Sequence, residues 1–239
     1  MYADRVIGLS LAALIIGAWF SLLVFSLGYA DWSVLWPFAP FVVALQTWLF
    51  VGLFIVAHDA IHGTLAPRLP LVNEVIGTLC VGLYAGFTYG ALAASHHDHH
   101  RFVGTDQDPD FHPEDPTHFW PWYIGFFRHY FTWRQFVALF LASVTLAVIL
   151  QERAPYMLIF WALPAILSSF QLFYFGTYVP HRHDHEPFED HHLSRRTNLP
   201  WLLSLLACFH FGHHHTHHAQ PSVPWWRLPS ASHLKEVAA

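Results

Sequence analysis

Four long apolar runs alternate with polar, histidine-dense segments along this 239-residue chain. A bilayer-spanning helix needs about 20 mostly apolar residues. Residues 6–29, 36–57, 136–150 with their flanks, and 156–178 meet that requirement. Short links, "ADWSVL" at 30–35 and "QERAP" at 151–155, join them in pairs and predict two helical hairpins. A fifth apolar stretch, 69–95, holds Asn73 and Glu74, with glycines at 77, 82, 86 and 90 that suit close helix packing. A single crossing there would put the histidines of "HDAIH" (58–62) and "HHDHH" (96–100) on opposite membrane faces. The stretch is therefore predicted to be a re-entrant or interfacial pair of short helices.

Composition sharpens this picture. The chain is 54% hydrophobic and 11% charged, whereas a soluble domain carries about 25% charged residues. That is too little polar surface to cover a globule in water. The predicted fold class is all-α integral membrane: one domain over 1–239, four transmembrane helices in two hairpins, re-entrant or interfacial helices, and a cytoplasmic cap. Of 11 Lys and Arg residues only Arg153 sits at a hairpin tip. The positive-inside rule then puts both termini, the other basic residues and every histidine cluster on the cytoplasmic side. Cys80 and Cys208 have no spacing that suggests a disulfide framework or a thiolate site. No phosphate-binding glycine motif and no basic patch points to nucleotides or nucleic acid. The surroundings are membrane lipids.

The candidate chemistry lies in the 21 histidines. His58 and His62 are spaced i, i+4 at the end of the second span. His96, His99 and His100 form H-x-x-H-H, and His214, His217 and His218 form it again; on helices such spacings bring rings to one side. His181 directly follows the last span. Nine imidazoles at one membrane face exceed the four of a tetrahedral zinc site and suit two metal ions with four or five nitrogen ligands each. Asp59, Asp98, Asp106, Asp108 and Asp110 are available to orient them. His112, His118, His129, His191, His192 and His233 read as solvated or hydrogen-bonded side chains. The aromatic clusters "FWPWY" (119–123), "FRHYFTW" (127–133) and "PWW" (224–226) read as interfacial anchors, with an apolar tunnel lining as their second reading.

The segments "FIVAHDAIHGTL", "SHHDHHRFVGTDQDPDFH", "FGTYVPHR" and "FHFGHHHTHHAQPSVPWWRLP" resemble the histidine boxes of the membrane fatty-acid desaturase and hydroxylase superfamily. Within it they are most similar to bacterial β-carotene ketolases, over nearly the whole chain. The resemblance implies two iron ions ligated by His58, His62, His96, His99, His100, His214, His217 and His218, with His181 as the further ligand. It implies O2 as co-substrate and an external electron donor, a ferredoxin-type or similar protein. The implied substrate is a lipophilic carotenoid whose ring C4 becomes a ketone, β-carotene giving echinenone and canthaxanthin, and zeaxanthin giving astaxanthin. The chain departs from the family's Tyr-His-His-Glu-His-His pattern at His213 and Thr216. The register among His210, His213, His214 and His215 is open on sequence; His214 alone completes H-x-x-H-H. His210 is then an orienting or extra ligand, and Asp59 and Asp98 are the carboxylate orienters. The same boxes also fit a carotenoid hydroxylase or an acyl-lipid desaturase. A zinc protease would need glutamate where Asp59 stands. A metal transporter would need polar ligands midway through the spans, which hold little beyond Gln46 and Gln171.

Overall fold

The computed structural model describes residues 2–184 and 187–232, so His233 and Lys235 lie outside the described residues. Among these the chain is helical, with no strand. Helix α1 (Tyr2–Val24) runs on through a π-helical turn at Phe25–Tyr29, and α2 (Trp32–Leu35) begins at Asp31, whose Oδ1 accepts the Ser33 amide at 3.0 Å. Next come α3 (Ala39–Ile61), α4 (Pro70–Ala85), α5 (Tyr89–Phe102), α6 (Phe119–Tyr130) and α7 (Trp133–Leu150). Helices α8 (Leu163–Phe173) and α9 (Val179–His181) join through π-helical turns into one run, and α10 (Trp201–Cys208) and α11 (His214–Ala219) complete the described chain.

Four runs are long and apolar enough to cross a membrane: Tyr2–Tyr29, Trp32–Ile61, Trp133–Arg153 and Leu158–His181. They fall on the four stretches expected from the sequence. The fifth stretch is a bent pair, α4 and α5, that turns by 95° at its break. Gly86 makes the turn with φ +68°, a left-handed conformation that costs glycine little. Of the other glycines there, only Gly77 packs closely, against the Tyr89 ring; Gly82 and Gly90 face open space, so close packing accounts for one of the four. Asn73 has its own use. Its side chain is buried and bonds the Ala66 amide (3.0 Å) and the Ala66 carbonyl (2.9 Å), which fixes the turn from α3 into α4.

Helix α3 is the core, packed against α1, α4 and α8. Over half of its apolar window is buried (56%), against 6% for α7. An α7 surface carrying Phe140, Val148 and Ile149 largely exposed needs lipid, not water, around it. The two ends of the bundle differ. At one end Arg5 donates to the Pro67 carbonyl (2.8 Å) and Arg227 pairs with Asp4. At the other, Arg153 reaches the Ala30 carbonyl (3.1 Å), so the two short links meet.

Gly8 is where α1 seats against the chain just after His62. A Cβ there would stand 2.2 Å from the Leu65 carbonyl oxygen and 3.0 Å from Trp226. Backbone cannot step aside as a side chain can, so Gly8→Ala is expected to destabilise the protein by about 1–3 kcal/mol, as overpacking does. Thermal unfolding in detergent or nanodiscs checks this; an unchanged midpoint would contradict the close seat.

Candidate metal centre

The nine predicted imidazoles do meet, in two groups. His58, His62, His96, His100 and His217 form one, and His99, His181, His214 and His218 the other; within each, the ligand atoms lie within 4.8 Å of one another. Helical phase explains the division. At 3.6 residues per turn, i and i+4 lie about 40° apart, while i+3 sits about 60° to the other side. So His96 and His100 serve the first group while His99 swings to the second, and His214 and His218 serve the second while His217 swings to the first. Helices α5 and α11 each feed both groups.

The rings point Nε2 inward. His58 and His217 approach at 3.2 Å, His62 and His96 at 2.8 Å, and His100 and His217 at 3.0 Å. In the second group His218 lies 3.2 Å from His99 and 3.0 Å from His214. His217 and His218 thus each face two partners through one nitrogen, and a neutral ring has one N–H and one lone pair. One nitrogen with a single proton or a single lone pair cannot serve both partners at once. His181 Nε2 is buried with no hydrogen-bond partner among the described residues. That surplus of nitrogen donors is what metal cations satisfy, and the residues present fit two of them.

Outside this ring of donors, the far nitrogens of two histidines are held. His99 Nδ1 lies 2.9 Å from Asp108 Oδ1, and His181 Nδ1 lies 2.8 Å from the Leu193 carbonyl. Asp108 is itself fixed, accepting the amides of Gly104 (2.9 Å) and Asp110 (2.9 Å). Such contacts orient ligating imidazoles. Asp98 is exposed, because one residue before His99 the helix has turned by about 100°, and none of the nine imidazoles bonds it among the described residues. Asp108, from the loop after α5, takes the part expected of Asp98. Asp59 Oδ1 stands 3.6 Å from His58 Nδ1, beyond hydrogen-bond reach, and its Oδ2 accepts the Trp225 amide (3.2 Å).

Of the four histidines whose register is open on sequence, the structure places His214 in the second group. His213 Nδ1 meets Ser232 Oγ at 2.8 Å, and His215 faces Ser194 and Asp190. His210 stays out of both groups and meets Ser204 Oγ at 3.1 Å. The cause is the turn out of α10, where Phe209 (φ 46°) and His210 (φ 66°) are left-handed. It points His210 back at α10 and leads the chain into α11. Phe209 stacks on Trp48 (4.3 Å), which holds that turn on α3.

An apolar cavity of about 500 Å³ reaches the groups, and His58, His96, His99 and His214 form part of its wall. Phe54, Tyr84, Phe87, Leu92 and Phe211 continue it, and it ends between α7 and α8 at Leu139, Ser143, Ala162 and Ile166. A second cavity of about 320 Å³ shares Ser143, Trp161 and Ala162 with it. The aromatic clusters divide accordingly. Tyr123, Phe126, Phe127 and Tyr130 of α6 line the cavity, and Trp122 and Trp225 are buried instead of anchoring at a surface.

The family model for fatty acid desaturases matches residues 30–155 and 116–239. The β-carotene ketolase of Paracoccus sp. strain PC1 is 47% identical over 227 residues, covering 95% of this chain and 92% of that protein. That of Paracoccus sp. strain N81106 is 46% identical, covering 90% and 88%. This chain belongs to the β-carotene ketolase branch of the fatty acid desaturase family. A zeaxanthin 4-ketolase of Chlamydomonas reinhardtii is 37% identical over 99% of this chain and 54% of that longer protein. Together with the apolar helices, membership makes this an integral membrane protein.

Sequence reasoning left His191 and His192 as solvated or hydrogen-bonded; they form a small exposed group with Asp190, within ligand distance of one another. It also gave no weight to Asp110 over its neighbours. Asp110 stands against His99 (Oδ2 to Nδ1, 3.8 Å) and accepts the Tyr130 hydroxyl. The D-x-D spacing of Asp108 and Asp110 after the second box was the available signal.

Burial holds the imidazoles of His214, His217 and His218 well below their ordinary pKa, and His62 down to about 4. They are neutral imidazoles at physiological pH. In the unfolded chain they protonate near 6.5, so below that pH the unfolded state binds more protons and stability falls with pH. Asp110, pushed up by burial, and His99, which the carboxylates of Asp110 and Asp108 raise against its burial, pull the other way but are outnumbered by the lowered imidazoles. Metal-free protein is expected to lose thermal stability steadily between pH 7 and 5. A midpoint that stays level or rises over that range would contradict the neutral, buried cluster.

Proposed function

We propose that the chain is a membrane-bound non-haem di-iron oxygenase that converts the C4 methylene of a carotenoid β-ionone ring to a ketone. β-Carotene gives echinenone and then canthaxanthin, and zeaxanthin gives astaxanthin. One observation carries the reading: imidazoles of both groups form the inner wall of an otherwise apolar cavity. The ketolase activities of its relatives supply the carotenoid. The reading takes 1–239 as one domain.

The group of five imidazoles would hold one iron and the group of four the other. Iron supplies the O2-activating redox chemistry that side chains lack, with electrons from a ferredoxin-type or similar protein. The chain's own residues do the remainder. Asp108 and the Leu193 carbonyl accept the Nδ1 protons of His99 and His181, which leaves each Nε2 a lone pair directed inward. Phe54, Phe87, Leu92 and Phe211 enclose the ring end and exclude water. The outer end lies between α7 and α8, two helices with large apolar side chains exposed, so a lipid-dissolved polyene enters sideways from the bilayer. In each turnover CH2, O2, two electrons and two protons give CHOH and water. A second turnover gives C(OH)2, and loss of water leaves C=O.

The distribution of Lys and Arg supports a cytoplasmic position for the termini and metal centre in a bacterial inner membrane, with the Ala30–Arg153 end opposite.

Expression in bacteria that accumulate β-carotene, with His217→Ala as control, tests the reading by pigment mass. The expected product has one oxygen in place of two hydrogens on each oxidised ring, and the control makes none. One oxygen gained without loss of hydrogen would mean a hydroxylase, and unchanged pigment with newly unsaturated acyl chains a desaturase. Zinc bound without any oxidation would mean a transporter.

Entry has its own test. Ala162→Trp puts an indole where the two cavities meet, and overpacking by about 1–3 kcal/mol is expected to cut product about tenfold or more. Iron content should stay at the parent level. Undiminished product would overturn the lateral route.

A further inference from the structure

The cavity is apolar except at a few points, and most of those are spent within the fold. Tyr123 bonds Ser169 (2.8 Å), and Tyr84 bonds Ser168 (3.3 Å). Asp110 is different. Its carbonyl accepts Trp122 Nε1 (2.7 Å), its amide donates to Asp108 (2.9 Å), and its Oδ1 accepts the Tyr130 hydroxyl, so the residue is held from three sides. Its Oδ2 accepts no hydrogen bond among the described residues; the nearest ring nitrogen, His99 Nδ1, is 3.8 Å away and already engaged by Asp108. Both Asp110 and Tyr130 line the cavity beside His99 and His96. A fixed, spare acceptor in an apolar pocket is costly unless something there donates to it.

An unoxidised β-ionone ring has no donor. The alcohol formed at C4 by the first turnover has one. We propose that Asp110, held by Tyr130, is a binding site for the ring hydroxyl: Oδ2 accepts the C4 O–H and keeps the half-oxidised ring against the metal centre for its second oxidation. This rests on the ketolase reading and deepens it, because it says why the product is a ketone and not the released alcohol. No new oxidant is required; O2 and the electron donor of the second turnover are those of the first. The structural logic is retention. Without the carboxylate, the alcohol gains nothing over the parent ring by staying, and it partitions back into the bilayer.

The test measures the ratio of C4 alcohol to C4 ketone in cells accumulating β-carotene, for parent, Asp110→Ala and Tyr130→Phe, with iron per chain measured on each purified protein. Asp110→Ala is expected to raise the ratio about tenfold, the effect of one lost hydrogen bond to a charged acceptor. Tyr130→Phe, which only frees the carboxylate, shifts it the same way by less. An unchanged ratio in both variants overturns the proposal, as does a proportionate fall of both products. If Asp110→Ala fails to retain iron, Tyr130→Phe decides, since it keeps the ring and its packing. A C3 hydroxyl offers the same chemistry, so the variants are also given zeaxanthin; a defect confined to that substrate assigns the site to C3 and overturns the C4 reading. A parent that makes no C4-oxidised pigment overturns the ketolase reading itself and the proposal with it.

Discussion

A neutral imidazole brings one proton and one lone pair, and nine of them packed ring to ring cannot satisfy one another. The chain nevertheless presses them together, with His217 Nε2 between His58 and His100 and His218 Nε2 between His99 and His214. Protonation is the usual escape from such crowding, and burial opposes it for His214, His217 and His218. What remains is coordination. Metal binding and the final docking of α11 are then one event in free-energy terms, since the same contacts that form the site hold the helix against α3 and α5.

The rest of the fold can be read as the means of bringing those rings together. They come from four places far apart in sequence: the end of α3, the C-terminal half of α5, the single turn of α9 and α11. Buried α3 supplies the fixed reference. The 95° bend between α4 and α5 returns the chain to the end it left, which is why His62 and His96, 34 residues apart, come within 2.8 Å. Asn73 fixes the outward turn and Gly86 the return. The left-handed pair Phe209 and His210 then aims α11 across the opening.

Much of this was legible in the sequence because it is periodic or compositional. Span length, basic-residue bias and the H-x-x-H-H spacing each follow from one-dimensional rules. Which metal group each histidine joins was not legible, although helical phase determines it, because phase separates His99 from His100 only once both groups have a position in space. The carboxylates show the same limit. Asp98 lies inside the box and faces outward, while Asp108 reaches His99 from a loop whose path no spacing rule predicts. His210 looked like a ligand one turn ahead of His214, and two consecutive left-handed residues, rare for non-glycine, removed it. The aromatics of α6 were ambiguous for a different reason: a tunnel wall and a membrane interface select the same side chains.

The two groups of imidazoles are unequal in more than number. Among the described residues, the only Nδ1 atoms of the nine that meet a fixed hydrogen-bond partner belong to His99 and His181, both in the group of four. Asp108, Asp110 and Tyr130 gather on that same flank, and the group of five has no comparable set, since Asp59 turns from His58 to the Trp225 amide. The cavity that reaches both groups therefore has one side of imidazole and carbon, and another that carries the Asp110 carboxylate. A reacting ring with a single polar position has one orientation that satisfies that second side. The acids thus give the cavity a polar side that the repeated pattern of histidines does not advertise, and a ring gains from that side only once it carries a hydroxyl.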